Sequence, residues 1–200
     1  MPIDPFHNAE KDDDAKAARS RALEERLFKA RTILIYGAIN QKVAEVFSAR
    51  LLALAADSDE PITVYINSQG GHVESGDTIH DMIKFVAPPV RIIGTGWVAS
   101  AGALIYAAAK RENRLSLPNT RFMLHQPSGG AGGTASDIAI MAKEIVRMRG
   151  RLNEIFARET GQPLERIQQD TERDYWMSAQ EAKDYGLVGR IIASANEIGD

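Results

Sequence analysis

Short apolar runs alternate with amphipathic segments along most of the chain. The runs at 32–36, 62–66 and 90–93 have the length of strands, and the run at 62–66 is apolar on both faces, as a buried strand would be. Between the runs, apolar residues recur at intervals of three and four, which predicts helices. Repeated alternation of strands and helices predicts an α/β fold with a largely parallel sheet. At the level of the individual fold, a phosphate-binding Rossmann sheet is an alternative. The helices predicted in this half of the chain cover 19–29, 43–54 and 75–85.

The longest periodic segment spans residues 136–160. Its apolar side chains step by three and four, which predicts a helix about twice the average length. Such a helix can extend beyond its own domain, so the stripe fits either a core helix or a helix whose far end contacts another subunit. Further along, Ser178 and Glu181 predict a capping box for a helix that ends at Tyr185. The stripe consists of Ile138, Met141, Ile145, Met148, Leu152 and Ile155.

Composition narrows the class of protein. The 200 residues, 44% of them hydrophobic and 26% charged, fit one ordinary globular domain. A formal net charge of −3 without a Lys/Arg cluster argues against a nucleic-acid partner. The chain has no cysteine, which excludes disulfides and thiolate metal sites and fits a cytoplasmic location. No apolar run is long enough to cross a membrane, and residues 1–20 are predicted to be a mobile acidic arm rather than a signal peptide.

The stretch from Gly94 to Gly130 carries the candidate chemistry. Ser100 stands at a predicted strand-to-helix junction between small residues, where the first amides of a helix lack partners. A nucleophile and anion-stabilising donors could share this space. The motif is not the Gly-x-Ser-x-Gly elbow, because Val98 occupies the first glycine position. The alternative is a close-packed core helix for which Ser100 is merely the N-cap.

Two other features gain meaning only in combination. The paired glycines Gly70 and Gly71 follow a buried strand, which predicts a turn with unusual backbone angles or a close approach of a ligand. His125 ends a second strand, and Asp174 stands beside Arg173. Taken alone, His125 would be interpreted as a core histidine and Asp174 as a solvated acid.

Four separated sequence blocks stand in order along the chain. They are Tyr65-Ile-Asn-Ser with Gly70-Gly71, Ala99-Ser100-x-Gly102-Ala103, Leu117-Pro-Asn-x-Arg121 leading to His125-Gln-Pro127, and Asp170-Thr-Glu-Arg-Asp174 followed by Ser178-Ala179. These blocks and their order resemble the ClpP family of Clp protease subunits, which have the ClpP/crotonase fold. The resemblance covers about Ala22 to Ser194. It implies an α/β peptidase domain at 21–194, built of repeated β-β-α units with a protruding long helix, and a C-terminal tail at 195–200.

The resemblance implies a serine endopeptidase with Ser100 as nucleophile, His125 as general base and Asp174 as the orienting carboxylate. A serine hydroxyl attacks an amide only when a base takes its proton, and an imidazole can do so near neutral pH. The carboxylate fixes the imidazole tautomer. No cofactor and no metal are implied.

The resemblance also assigns binding groups. The backbone amides of Gly71 and Ala101 would form the oxyanion hole. An extended substrate would lie between the segment after Gly71 and the segment 126–130, pairing as an added strand with broad sequence tolerance. The residues expected to contact substrate are Gly70, His72, Gln126, Pro127 and Gly129.

Assembly is implied in the same way. Relatives form two stacked heptameric rings around a chamber that admits unfolded polypeptides, and the long helix and the Gly-rich segment 129–133 would form the contact between the rings. The resemblance also implies a separate hexameric AAA+ unfoldase that delivers these polypeptides. This chain has no Walker A motif of its own, so any ATP would be hydrolysed by that partner.

The chain departs from the family at several positions. Gln69 replaces a proline, which would loosen the glycine turn, and Trp97 and Ala101 replace a glutamine and a methionine. The acidic arm lacks the hydrophobic axial-loop sequence of the family. A different partner, or a mixed ring with a paralogous ClpP subunit, is therefore an alternative. Two alternative functions remain at this point: an idle or regulatory ring subunit that requires a paralogue, and an acyl-CoA enzyme on the related crotonase fold.

Overall fold

The computed structural model describes residues 18–127 and 132–199. The predicted arm at 1–20 lies outside the described residues except for its last three, which begin helix α1 at 18–29. The other helices are α2 (Gln41–Asp57), α3 (Val73–Phe85), α4 (Ala101–Ala107), α5 (Ala135–Thr160), α6 (Leu164–Asp170) and α7 (Ala179–Tyr185), with 3₁₀ turns at Arg111–Asn113 and Ala195–Ile198. The strands are β1 (Thr32–Ile39), β2 (Ile62–Gly71), β3 (Val90–Ala99), β4 (Arg114–Ser116), β5 (Arg121–Leu124), β6 (Tyr175–Ser178) and β7 (Arg190–Ile191).

The sheet is mostly parallel, as the alternation of strands and helices predicts. Its main path runs β1-β2-β3-β4-β7, and every pair along this path is parallel. Strand β5 lies off the path, pairing in parallel with the last residues of β3 and antiparallel with β6. A Rossmann sheet binds its ligand where the strand order reverses. The main path here steps through β1 to β4 without such a reversal, so the Rossmann alternative is wrong.

Strands β2 and β3 are longer than the apolar runs suggest. The turn predicted at Gly70 and Gly71 is instead the end of β2, which stays paired with β1 up to the partners Ile39 and Gly71. The backbone angle φ is 94° at Gly70 and 147° at Gly71, values that favour glycine. The amide of His72 still donates to the Ile39 carbonyl at 2.9 Å. The segment bearing Gln69 is therefore held by β1 and is not the loosened turn expected from the sequence.

Helix α4 lies at the centre of the core. All seven of its residues are buried, and it packs on α3, β2 and β3. Close packing is possible because α3 carries Gly76 at the contact, where an added Cβ would lie 3.1 Å from the Cβ of Ala101. The start of α4, which carries the candidate nucleophile, is thereby fixed by the core.

Only the second half of α5 belongs to the core. Its buried residues begin at Leu152, whereas the stripe residues Ile138 and Met141 are 45% and 44% exposed. Two ion pairs from α3 hold the base of the helix, Asp77 with Arg151 and Lys84 with Glu159. The apolar stripe therefore continues beyond the domain, and the core-helix interpretation is wrong for the first half. Within the described ranges, no helix is both long and apolar enough to cross a membrane.

Candidate active site

Three neighbouring strands bring Ser100, His125 and Asp174 together. Ser100 directly follows β3, His125 directly follows β5, and Asp174 directly precedes β6. Because β5 pairs with both other strands, the three side chains meet at one end of this small three-stranded unit. The three residues are far apart in the sequence, and the sheet closes that distance.

Ser100 occupies the N-cap position of α4 but does not cap it. Its φ and ψ angles are 54° and −122°, and its side chain makes no hydrogen bond with the first turn. The backbone fixes this geometry, since the Ser100 amide donates to the Met123 carbonyl at 2.9 Å and the Ser100 carbonyl accepts from Leu104 at 3.1 Å. The hydroxyl is therefore directed away from the helix, and the interpretation of Ser100 as a capping residue is wrong for its side chain.

His125 links the other two side chains. Its Nε2 atom lies 2.8 Å from Ser100 Oγ, and its Nδ1 atom lies 3.0 Å from Asp174 Oδ1. An ionised carboxylate only accepts hydrogen bonds, so Nδ1 carries the proton and donates to Asp174. The lone pair of Nε2 then faces the serine hydroxyl, which is the arrangement that lets an imidazole accept the hydroxyl proton.

Gly70 lies against the serine. A Cβ added there would lie 2.6 Å from the Cβ of Ser100, 2.8 Å from the Ala99 carbonyl oxygen and 3.1 Å from the Ala101 nitrogen. The end of β2 and the start of α4 thus approach each other closely, beside the nucleophile. Ala101 is the first helical residue, so its amide has no partner within the helix.

Ser68 is a residue that the sequence analysis missed. It is fully buried, its hydroxyl donates to the Gly37 carbonyl at 2.6 Å, and it accepts from the Gly70 amide at 3.0 Å. It therefore ties β2 to β1 just before the two glycines. Its position in the Tyr65-Ile-Asn-Ser block was visible, but its neighbours in β1 were not.

The structure describes three of the other residues predicted to contact substrate, His72, Gln126 and Pro127. His72 is largely exposed and contacts Ser75 and Glu74 through its two ring nitrogens. The backbone amide of Gln126 donates to the Thr171 carbonyl, and its side-chain amide donates to the Glu172 carbonyl. Pro127 ends the first described range, and Gly129 lies outside the described residues. In the described part of the chain, no group of histidine, aspartate and glutamate side chains is suited to hold a metal ion.

Comparison with known proteins gives one family. A family model described as Clp protease matches residues 15–195. The "ATP-dependent Clp protease proteolytic subunit 3" of Rhizobium etli is 62% identical over 194 residues, which is 96% of this chain and 100% of the relative. The "ATP-dependent Clp protease proteolytic subunit 2" of Pseudomonas aeruginosa is 55% identical and covers 92% of each chain.

The solved structures agree with the sequence relatives. ClpP1 from Listeria monocytogenes superimposes with a TM-score of 0.80 at 56% identity, covering 88% of this chain and 99% of that one. A point mutant of the same Listeria protein gives a TM-score of 0.83 at 57% identity with the same coverage. These similarities confirm the ClpP-like α/β fold. Together with the family model, which spans nearly the whole sequence, they show that the chain belongs to the Clp protease family.

Proposed function

We propose that this chain is the proteolytic subunit of an ATP-dependent Clp protease, a serine endopeptidase that cleaves unfolded polypeptides inside a ring-shaped chamber. The observation that carries the proposal is the continuous hydrogen-bonded path from Ser100 through His125 to Asp174 in a member of the Clp protease family. An acyl-CoA enzyme has no need of such a path.

The proposed reaction has two halves. Ser100 Oγ attacks the carbonyl carbon of the peptide bond while His125 Nε2 takes its proton, and the carbonyl electrons move to the oxygen. The amides of Gly71 and Ala101 stabilise this oxyanion. The bond to nitrogen then breaks, His125 returns the proton to the leaving amine, and an ester remains on Ser100. Water repeats the sequence with His125 as base, releasing the acid and restoring the hydroxyl.

The substrate is proposed to bind as an extended strand. It would lie between the segment that follows Gly71 and the segment 126–130, contacting Gly70, His72, Gln126, Pro127 and Gly129. The two hydrogen bonds of Gln126, one from its backbone and one from its side chain, support this role, because they hold the residue against the segment that precedes Asp174. Pairing through the backbone reads no side chains, so we expect broad sequence tolerance.

The Clp protease family forms ring oligomers with Clp ATPases. For this chain we propose two stacked heptameric rings in the cytoplasm, joined through the exposed apolar half of α5, and a hexameric AAA+ unfoldase that delivers substrate. The support is the run of exposed apolar side chains on that half, where Ile138, Ile140, Met141 and Val146 are all at least 44% exposed. A mixed ring with a paralogous subunit would use the same surface.

An idle subunit is not favoured. An idle site would tolerate a rotated hydroxyl or a displaced histidine, whereas here the serine forgoes its capping bond and contacts the imidazole. The relatives are themselves named proteolytic subunits.

A fluorophosphonate probe tests the proposal, because it reacts with serines activated by a base. The assembled protein is incubated with the probe, and the labelled residue is identified by peptide mass spectrometry. We expect one label on Ser100 and loss of peptide cleavage in proportion to labelling. Assembled protein that takes no label and cleaves no fluorogenic peptide would contradict the proposed function, and native mass spectrometry of the same sample shows whether it was assembled.

A further inference from the structure

Three side chains form a stack on one face of the small three-stranded unit. The rings of Trp97 and Trp176 are stacked, with centroids 6.2 Å apart and an angle of 10° between their planes. The guanidinium carbon of Arg121 lies 4.3 Å from the centre of the Trp176 ring. The chain contains two tryptophans, and both belong to this stack. Stacked aromatic rings and a cation over an indole face are both favourable contacts.

Each member of the stack comes from a strand that holds one triad residue. Trp97 is on β3, three positions before Ser100. Arg121 is on β5, four positions before His125, and Trp176 is on β6, two positions after Asp174. The stack therefore connects side chains of all three strands near the candidate active site.

The register of β6 on β5 decides where Asp174 lies. The last pair of this antiparallel ladder is Leu124 with Tyr175, so His125 and Asp174 are the next residues outward on their strands. A slip of one residue would turn every side chain of β6 to the opposite face and separate the carboxylate from the imidazole.

The backbone offers little to hold that register. Strand β6 is four residues long and, among the described strands, pairs with β5 alone, and β5 shares three residue pairs with β3. The stack acts across this weak point. Trp97 of β3 pairs with Arg121 of β5, and Trp176 of β6 pairs with Met123 of β5. A slipped β6 could not keep Trp176 stacked on Trp97.

We propose that Trp97, Arg121 and Trp176 are positioning residues, whose stack holds β6 in register so that Asp174 stays opposite His125. This inference rests on the proposed function. It assigns a role to Trp97, which replaces the glutamine usual in the family, and to Trp176, which the sequence analysis did not single out. The stack does not touch the reacting atoms and acts through the Asp174 carboxylate.

A double-mutant cycle tests the inference. In the assembled enzyme, Trp176→Ala is expected to lower kcat for a fluorogenic peptide about tenfold with KM unchanged, since small misplacements of catalytic groups are costly. In an Asp174→Asn background the same change is expected to cost less than about twofold, because the group it positions is already lost. Trp176→Phe retains a ring and should recover most of kcat. Arg121→Met removes the cation from the stack and should lower kcat. Arg26→Met, on the exposed helix α1, is the control and should leave kcat unchanged.

Several results would overturn the inference. An equal loss in both backgrounds would mean that the stack acts independently of Asp174. A raised KM with kcat unchanged would assign the rings to substrate contact, and dissociation of the assembly by native mass spectrometry would assign them to a subunit contact. If the parent enzyme cleaves peptide and Trp176→Ala keeps full kcat, this inference alone fails. A parent that takes no fluorophosphonate and cleaves nothing refutes the proposed function, and the inference with it.

Discussion

The Nε2 atom of His125 lies 2.8 Å from Ser100 Oγ, at a helix start where a serine hydroxyl ordinarily accepts from the first turn. Ser100 also has a φ of 54°, a value that residues other than glycine rarely adopt. An unsatisfied cap and an unusual backbone angle at the same residue are costs that persist only where the surrounding core fixes them. Helix α4 supplies that core, and the result is a hydroxyl presented to a base.

Replacing this hydroxyl should separate activity from stability. We expect Ser100→Ala to lower kcat by about 10⁶-fold, as for other serine hydrolases whose nucleophile is removed. Stability should change by no more than about 1 kcal/mol, because the hydroxyl does not cap α4 and its removal breaks its hydrogen bond to His125. Ser48→Ala is the matched control for kcat, since the Ser48 hydroxyl lies on α2 and is buried without a hydrogen-bond partner among the residues that the structure describes. Peptide cleavage and urea unfolding measure both quantities, and residual kcat within tenfold of the parent would contradict the role of Ser100.

Asp174 tests the orientation of the imidazole. In Asp174→Asn, the side-chain amide can donate to Nδ1 and stabilise the wrong tautomer, so we expect kcat to fall by about 10⁴-fold. The backbone site is unchanged, so KM should stay within about twofold. Asp184→Asn is the control, because Asp184 is exposed and accepts from Gln180 on α7. Steady-state kinetics of both variants decide the point, and a mere twofold fall in kcat for Asp174→Asn would show that the carboxylate is dispensable.

The sequence predicts the elements of this site better than their relation to each other. Ser100 could be placed at a strand-to-helix junction because small residues surround it and a helical pattern follows. Whether its hydroxyl would cap the helix could not be predicted, since that depends on Met123 and His125 from another strand. Local pattern fixes local structure, whereas the direction of one side chain depends on tertiary packing.

Two further features were beyond the reach of periodicity. An apolar stripe looks the same on the buried and on the projecting half of α5, because it records what the helix contacts in any assembly. Paired glycines suggested a turn, yet Gly70 and Gly71 continue β2, since β1 supplies hydrogen-bond partners that the local sequence does not reveal. The stacking of Trp97 on Trp176 likewise joins positions that share no local pattern.

Gly70 provides a steric test of the site. Its φ of 94° and the 2.6 Å approach of an added Cβ to Ser100 Cβ mean that Gly70→Ala must displace the nucleophile. We expect a loss of kcat of at least about 100-fold. Gly161→Ala has a similar φ of 76°, but its added Cβ has no neighbour within 4 Å in the described part of the chain, so it should cost about 1 kcal/mol of stability and leave kcat unchanged. Equal kinetic effects from the two substitutions would contradict a specific contact between Gly70 and Ser100.

The ion pair at the base of α5 should make stability depend on acid pH. Burial acts to raise the pKa of Glu159, but hydrogen bonds from Lys84 and Arg158 outweigh it and hold that pKa below its ordinary value. A carboxylate with a lowered folded pKa stabilises the fold above its ordinary pKa, and this contribution is lost as pH falls through the folded pKa. Lys84→Met should therefore flatten the decline of stability below about pH 5. Urea unfolding at several pH values measures this dependence. Lys42→Met, in the exposed Lys42–Glu45 pair, is the control and should leave the pH profile of stability unchanged.

The projecting half of α5 offers a test of assembly that leaves the fold of the subunit alone. Val146 is 68% exposed, so Val146→Asp should change the free energy of unfolding by less than about 0.5 kcal/mol. In a double ring joined through α5, the same carboxylate would be buried without a partner, a cost of several kcal/mol in each copy. We therefore expect native mass spectrometry to show single rings or smaller species. Lys143→Gln, which makes the same change in net charge on an exposed residue three positions away, should keep the double ring. Intact double rings in Val146→Asp would contradict a ring-to-ring contact through the projecting half of α5.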